Sequence, residues 1–115
     1  MWNIIFYTKE DGKTPVQEFL DQLVVKHRAK ALRDIDLLEQ HGTALTEPNV
    51  KHIKGKLWEL RIRSAKDISR VFYFVHVGTD IVLLHGFLKK TQKTPTREIE
   101  IAETYMNDYQ RRNTL

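Results

Sequence analysis

The spacing of apolar residues changes once along this chain, and that change restricts the fold more than any other feature. Val16, Phe19, Leu20 and Leu23, then Ala31, Ile35 and Leu38, recur every three or four positions, the period of amphipathic helices. From Leu57 the period is two. In Leu57-Trp58-Glu59-Leu60-Arg61-Ile62-Arg63, Trp58, Leu60 and Ile62 fall on one side of a strand, and Glu59, Arg61 and Arg63 on the other. A chain that switches in this way places helices and sheet in separate blocks, which is the pattern of an α+β fold.

Punctuation residues divide the blocks. Trp2 to Thr8 is a β-branched and aromatic run closed by Lys9-Glu10-Asp11-Gly12, a strand followed by a turn. Thr14-Pro15-Val16-Gln17 reads as a helix start, with Thr14 as cap, Pro15 in the first turn and Gln17 completing a capping box. A second helix is expected from about His27 to His41, with Gly42 as its stop. Ile68 to Val77 and Asp80 to Lys89 read as two more strands joined by a tight hairpin at His76-Val77-Gly78-Thr79-Asp80. Thr94-Pro95 opens a last helix with Ile99, Ala102, Met106 and Tyr109 on one stripe, followed by a polar tail from Gln110 to Leu115. The expected order is β-α-α-β-β-β-α in one domain spanning 1–115. An N-terminal two-helix hairpin and a C-terminal helix cover one face of an antiparallel sheet, and the other face is open.

Charge follows the same division. Residues 1–50 carry six basic and eight acidic side chains, whereas residues 51–97 carry 11 basic and three acidic ones (Glu59, Asp67 and Asp80). A cationic half on a near-neutral support suits a polyanion, although a solvated basic face gives the same count. The absence of cysteine excludes disulfide scaffolds, iron–sulfur clusters, thiolate zinc sites and thiol nucleophiles. With 41% hydrophobic and 30% charged residues, a globular protein is expected, neither disordered nor membrane-spanning. The apolar N-terminus lacks a cationic start and soon meets Lys9-Glu10-Asp11, so no signal peptide is expected and the cytoplasm is the default location.

Several residues could carry chemistry. Arg61, mid-strand, can hold a phosphate through two hydrogen bonds and keeps its proton; it can equally pair with Glu59. An antiparallel neighbour places Arg70 beside Arg61 or Arg63. His85-Gly86-Phe87-Leu88-Lys89-Lys90-Thr91-Gln92-Lys93-Thr94-Pro95 puts three lysines at a strand-to-helix junction, where ammonium groups, free amides and the helix dipole favour phosphate. His85 reads either as an acid or base near neutral pH or as a hydrogen-bonded structural group. Glu59 is the carboxylate of this stretch available as a base. Arg61, Arg70, Lys89, Glu59 and His85 are therefore the catalytic candidates, with Arg63, Lys54, Lys56, Lys90 and Lys93 as RNA-binding ones. The histidines at 27, 41, 52, 76 and 85 show no paired-ligand spacing, so neither metal nor cofactor is expected. Cation-assisted cleavage of RNA fits such a surface, because the substrate's own 2′-hydroxyl is the nucleophile.

The segments Leu57-Trp58-Glu59-Leu60-Arg61, Arg70-Val71-Phe72-Tyr73-Phe74, Leu83 to Pro95 and Glu98-Ile99-Glu100-Ile101-Ala102 resemble the HigB-like, phage-related branch of the RelE/ParE toxin superfamily. Leu83 to Pro95 is the most specific of them, and the resemblance runs through nearly the whole chain. It implies a RelE-like fold and the toxin of a type II toxin–antitoxin pair that cuts messenger RNA in the ribosome without metal. It also implies a helix-turn-helix, HigA-like antitoxin through which alone the toxin meets operator DNA. Carried over, the functional positions are Arg61, Arg70, Lys89 and Lys90. The C-terminal tyrosine or histidine of many RelE-like nucleases has only Tyr105 and Tyr109 as counterparts, on a stripe that reads as structural. Two other activities fit the same chemistry: gyrase poisoning, as on the ParE side of the superfamily, and non-catalytic nucleic-acid binding.

Overall fold

A computed structural model describes residues 1–91 and 93–114; Gln92 of the basic loop and Leu115 of the polar tail lie outside the described residues. Strand β1 (Asn3–Phe6) is followed by helices α1 (Pro15–Gln22) and α2 (Val25–His41), strands β2 (Val50–Lys54), β3 (Leu57–Ser64), β4 (Asp67–Val75) and β5 (Asp80–Leu88), and helix α3 (Thr96–Arg112). The α+β class stands, with three corrections to the expected arrangement. The order contains one further strand, β2. The sheet is mixed, ordered β1-β5-β4-β3-β2, with β1 parallel to β5 and the other pairings antiparallel. Helices also lie on both faces rather than one.

The third correction follows from β4 and β5. Val71-Phe72-Tyr73-Phe74 and Ile81-Val82-Leu83-Leu84 are buried without interruption, the signature of strands covered on both faces. Val71, Tyr73, Ile81 and Leu83 join Leu60 and Ile62 of β3 and Val16, Leu20, Ala31, Ile35 and Leu38 of α1 and α2 in one core. Phe72, Phe74, Val82 and Leu84 turn the other way and pack with Ala102, Ile99, Tyr105, Met106 and Tyr109 of α3. Helix α3 lies over β5 and β4. Glu59, Arg61 and Arg63 of β3 share this face, and the groove expected on an open sheet is therefore a cleft beside α3.

Local chemistry sets the ends of the helices. The capping box does not form: the Thr14 hydroxyl hydrogen-bonds that of Thr8 at 3.1 Å, and Gln17 Nε2 donates to Asp21 Oδ1 at 2.9 Å. Arg28 closes α1 instead, donating to the carbonyls of Leu20, Asp21 and Leu23. Gly42 stops α2 at φ 49°, where a Cβ would also strike the Trp2 ring, so glycine is required twice over. Near the end of α3, Asp108 accepts hydrogen bonds from Arg112 and Tyr7, which hold its carboxyl at about 2 and tie the helix to the end of β1.

Candidate functional site

Register brings the two arginines together. Arg61 of β3 lies directly opposite Arg70 of β4, a placement in which like charges repel. Glu59 resolves the conflict from two residues back on the same face. Its Oε1 is 3.5 Å from the Nε of Arg61 and 3.5 Å from the Nε of Arg70, and Thr94 donates to its Oε2 at 3.4 Å. Only 1% of Glu59 is exposed, and a carboxylate so buried persists because cations face it.

The two arginines differ in access. Arg70 is 4% exposed, and its Nη1 donates to the Ser69 carbonyl at 3.0 Å. Burial lowers its pKa, opposed first by the charge of Glu59. Arg61 keeps 28% of its side chain exposed and also approaches Glu47 at 3.9 Å. Neither Nε–H makes a hydrogen bond among the described residues, and both Nε atoms are buried against Glu59 in 3.5 Å ion pairs; the donors open to a ligand are those on the exposed part of the Arg61 guanidinium.

Two cavities meet at Arg61. One, of about 680 Å³, is lined by Arg61, Arg63, Lys66, Arg70, Lys89 and Lys90, with Ile68 and Thr91. The other, of about 390 Å³, is lined by Arg61, Glu59, Lys89, Lys93, Lys51 and Thr94, with His52 and Ile53. Arg61 and Lys89 border both. The Lys89 amide donates to the Ile68 carbonyl at 2.7 Å, anchoring the residue just beyond β5. Burial pushes its ammonium pKa down, and Arg70, Arg61 and Lys51 push the same way against Glu59.

The expected site residues divide accordingly. Arg61, Arg70, Lys89 and Glu59 converge, and Arg63, Lys90 and Lys93 line the cavities around them. Lys54 instead pairs with Glu103 of α3 at 3.1 Å, and Lys56 is exposed in the β2–β3 turn, outside the lining of either cavity. His85 stands outside the lining too. Its Nε2 is 2.6 Å from Glu98 Oε1, and its ring stacks near Phe72 and Phe87, pinning the first turn of α3 to β5. Tyr105 stacks on Tyr7, and Tyr109 meets Phe74 edge-on. Lys51 and Lys66 also line the cavities, and neither stands out in the sequence. Once β2 is known, alternation puts Lys51 on the face of Glu59, to which it is paired.

Fold and cleft together define a small α+β protein with a cationic cleft at the end of a two-strand pair. Residues 18–107 match the model of the phage-derived Gp49-like family (DUF891), and the chain belongs to that family, which falls in the RelE/HigB toxin-like group of type II toxin–antitoxin systems. The matched span contains Arg61, Arg70 and Lys89. A comparison with curated proteins found no match. Among the described residues, no helix is long and apolar enough to cross a membrane, and no three His, Asp or Glu side chains are grouped to hold a metal ion.

Proposed function

We propose that this protein, with a RelE-like fold, is a HigB-like toxin that cuts messenger RNA on the ribosome in the cytoplasm and is silenced by a helix-turn-helix, HigA-like antitoxin. The observation that carries the reading is the meeting of Arg61, Arg70 and Lys89 around one buried carboxylate at the junction of two cationic cavities. Membership of a toxin family supports the toxin and antitoxin parts of it.

Each residue has a role in this reading. Arg61, the more exposed cation, holds the scissile phosphate and neutralises the charge that grows on it. Arg70 and Glu59 fix the Arg61 guanidinium from below, so Glu59 acts as a positioning residue. The RNA 2′-hydroxyl attacks phosphorus and the bond to the 5′ oxygen breaks. Lys89 gives that oxygen its proton, a task made easier by an ammonium pKa drawn below its ordinary 10.5. The 2′-hydroxyl proton passes to solvent in the open cleft. Six cations in the larger cavity repel a divalent metal ion and attract phosphates, so the chemistry is carried by side chains. His85, held by Glu98, anchors α3 rather than moving protons.

The test is a reconstituted translation reaction with purified protein and a defined transcript. Cleavage inside the reading frame only when ribosomes are translating is expected, and it should persist in chelator concentrations that leave translation running. Intact transcript throughout overturns the nuclease reading. Accumulated gyrase–DNA cleavage complexes with intact messages would assign the ParE-like activity instead.

A further inference from the structure

The smaller cationic cavity continues round the edge of the sheet. Lys51 and His52 line it together with Arg61 and Lys89. The same two residues line a neighbouring groove of about 480 Å³ bounded by Trp58, Leu45, Thr46 and Glu47. Successive residues of a strand face opposite ways, so Lys51, paired with Glu59, faces the cleft, while His52, paired with Trp58, faces the far side. Among the described residues no strand covers the outer edge of β2. A chain leaving the cleft can therefore pass over Lys51 and reach Trp58 directly.

Trp58 is placed unusually for its size. It is 36% exposed, whereas the aromatic residues of β4 are buried. Its ring lies 5.0 Å from that of His52 at 56°, and His52 is itself fixed through Nε2 to the Gly55 carbonyl at 2.7 Å. The result is a rigid π surface one residue along the sheet edge from Lys51, which lines the cationic cavity.

We propose that Trp58 is the stacking platform for a nucleobase of the RNA strand whose phosphates lie on Lys51, Arg61 and Lys89; the assignment rests on the RNA-binding reading of the cleft. Charge selects the occupant. Glu47 at the groove wall repels a phosphate but accepts hydrogen bonds from a base edge, as do the Thr43 and Thr46 hydroxyls. Phosphates stay on the lysine side and the base turns onto the indole, the arrangement of single-strand binding surfaces that pair a cationic track with an aromatic face.

Binding of a labelled, uncleavable 2′-O-methyl RNA octamer by fluorescence anisotropy tests this. Three comparisons accompany it: an abasic version of the octamer, inorganic polyphosphate, and the variants Trp58→Ala and Trp58→Phe. Stacking on an aromatic side chain is worth about 5- to 150-fold in affinity per base. Trp58→Ala should weaken the octamer by that order and leave polyphosphate unchanged, Trp58→Phe should recover most of the loss, and wild-type protein should bind the abasic octamer as weakly as Trp58→Ala binds the intact one. Equal binding of intact and abasic octamers by wild-type protein overturns the platform while leaving the cleft reading in place, and this comparison needs no variant to fold. If wild-type protein binds neither RNA nor polyphosphate, the cleft reading falls and the platform with it.

Discussion

Arg61 and Arg70 face each other across two strands, and their shared partner Glu59 gives them different fates on substitution. Arg61→Ala should abolish toxicity while costing less in denaturation than Arg70→Ala, because Arg61 keeps 28% of its side chain exposed and the more deeply buried Arg70 still faces Glu59. Arg70→Ala should also abolish toxicity but cost a few kcal/mol, toward the lower end of the roughly 3–5 kcal/mol typical of a broken buried pair, since Arg61 still faces the carboxylate. Equal stability of the two variants would contradict the division of roles. Lys89 supplies a sign that can be checked. As a proton donor it is active when protonated, so the cleavage rate should fall as pH rises through a pKa lowered from 10.5. A pH–rate profile for Lys89→Arg should be slower and lose that alkaline limb. His27 gives a pH prediction of another kind. It is buried between the Ser64 and Ser69 hydroxyls, at 2.5 and 2.8 Å, and burial lowers its pKa from 6.5 against the pull of Asp67 and Asp34. The unfolded chain then takes up a proton that the folded one refuses, so stability is fully present above about pH 6.5 and is lost as pH falls below it. Urea midpoints should drop between about pH 7.5 and 5.5 in wild type, and less so in His27→Gln. Arg61, Arg70 and Lys89 were legible in the sequence because a long cation in mid-strand, or three lysines at a strand exit, is a local signal. The burial of Glu59 and the capture of His85 by Glu98 were not, because both depend on where α3 starts against the sheet.

Gly86, within the motif that most resembles a toxin family, has a packing role at the scale of elements. A Cβ there would lie 2.5 Å from the Phe19 ring of α1, so the helix rests directly on β5. Gly86→Ala should cost about 1–3 kcal/mol through overpacking and lower the melting temperature by several degrees, read by calorimetry; an unchanged melting temperature would contradict the contact. The sheet itself shows which patterns survive translation into structure. The β4–β5 hairpin and the stop of α2 at Gly42 are present as the residues indicate; β3 keeps its alternation of faces, but Glu59 on the face expected to be open is buried and Trp58 on the other is 36% exposed. The second covered face was legible too, in the unbroken apolar runs of β4 and β5, but reading β3's alternation across the whole sheet hid it. Strand β2 went unrecognised because Val50-Lys51-His52-Ile53-Lys54 is half polar; it forms by pairing with β3, a tertiary effect that local propensity does not carry.

At the scale of the whole molecule, a nearly neutral helical half supports a cationic sheet edge, and the chain belongs to a family in the RelE/HigB toxin-like group. In the proposed function this edge cuts translated messages through Arg61 and Lys89. The most direct measurement is transcriptome-wide mapping of RNA 5′ ends after induction without an antitoxin, comparing wild type with Arg61→Ala and Lys89→Ala. Growth arrest with new 5′ ends confined to translated frames is expected in the wild type, and neither arrest nor new ends in the variants. Arrest with intact transcripts, or the same 5′ ends in both variants, would contradict the proposed function.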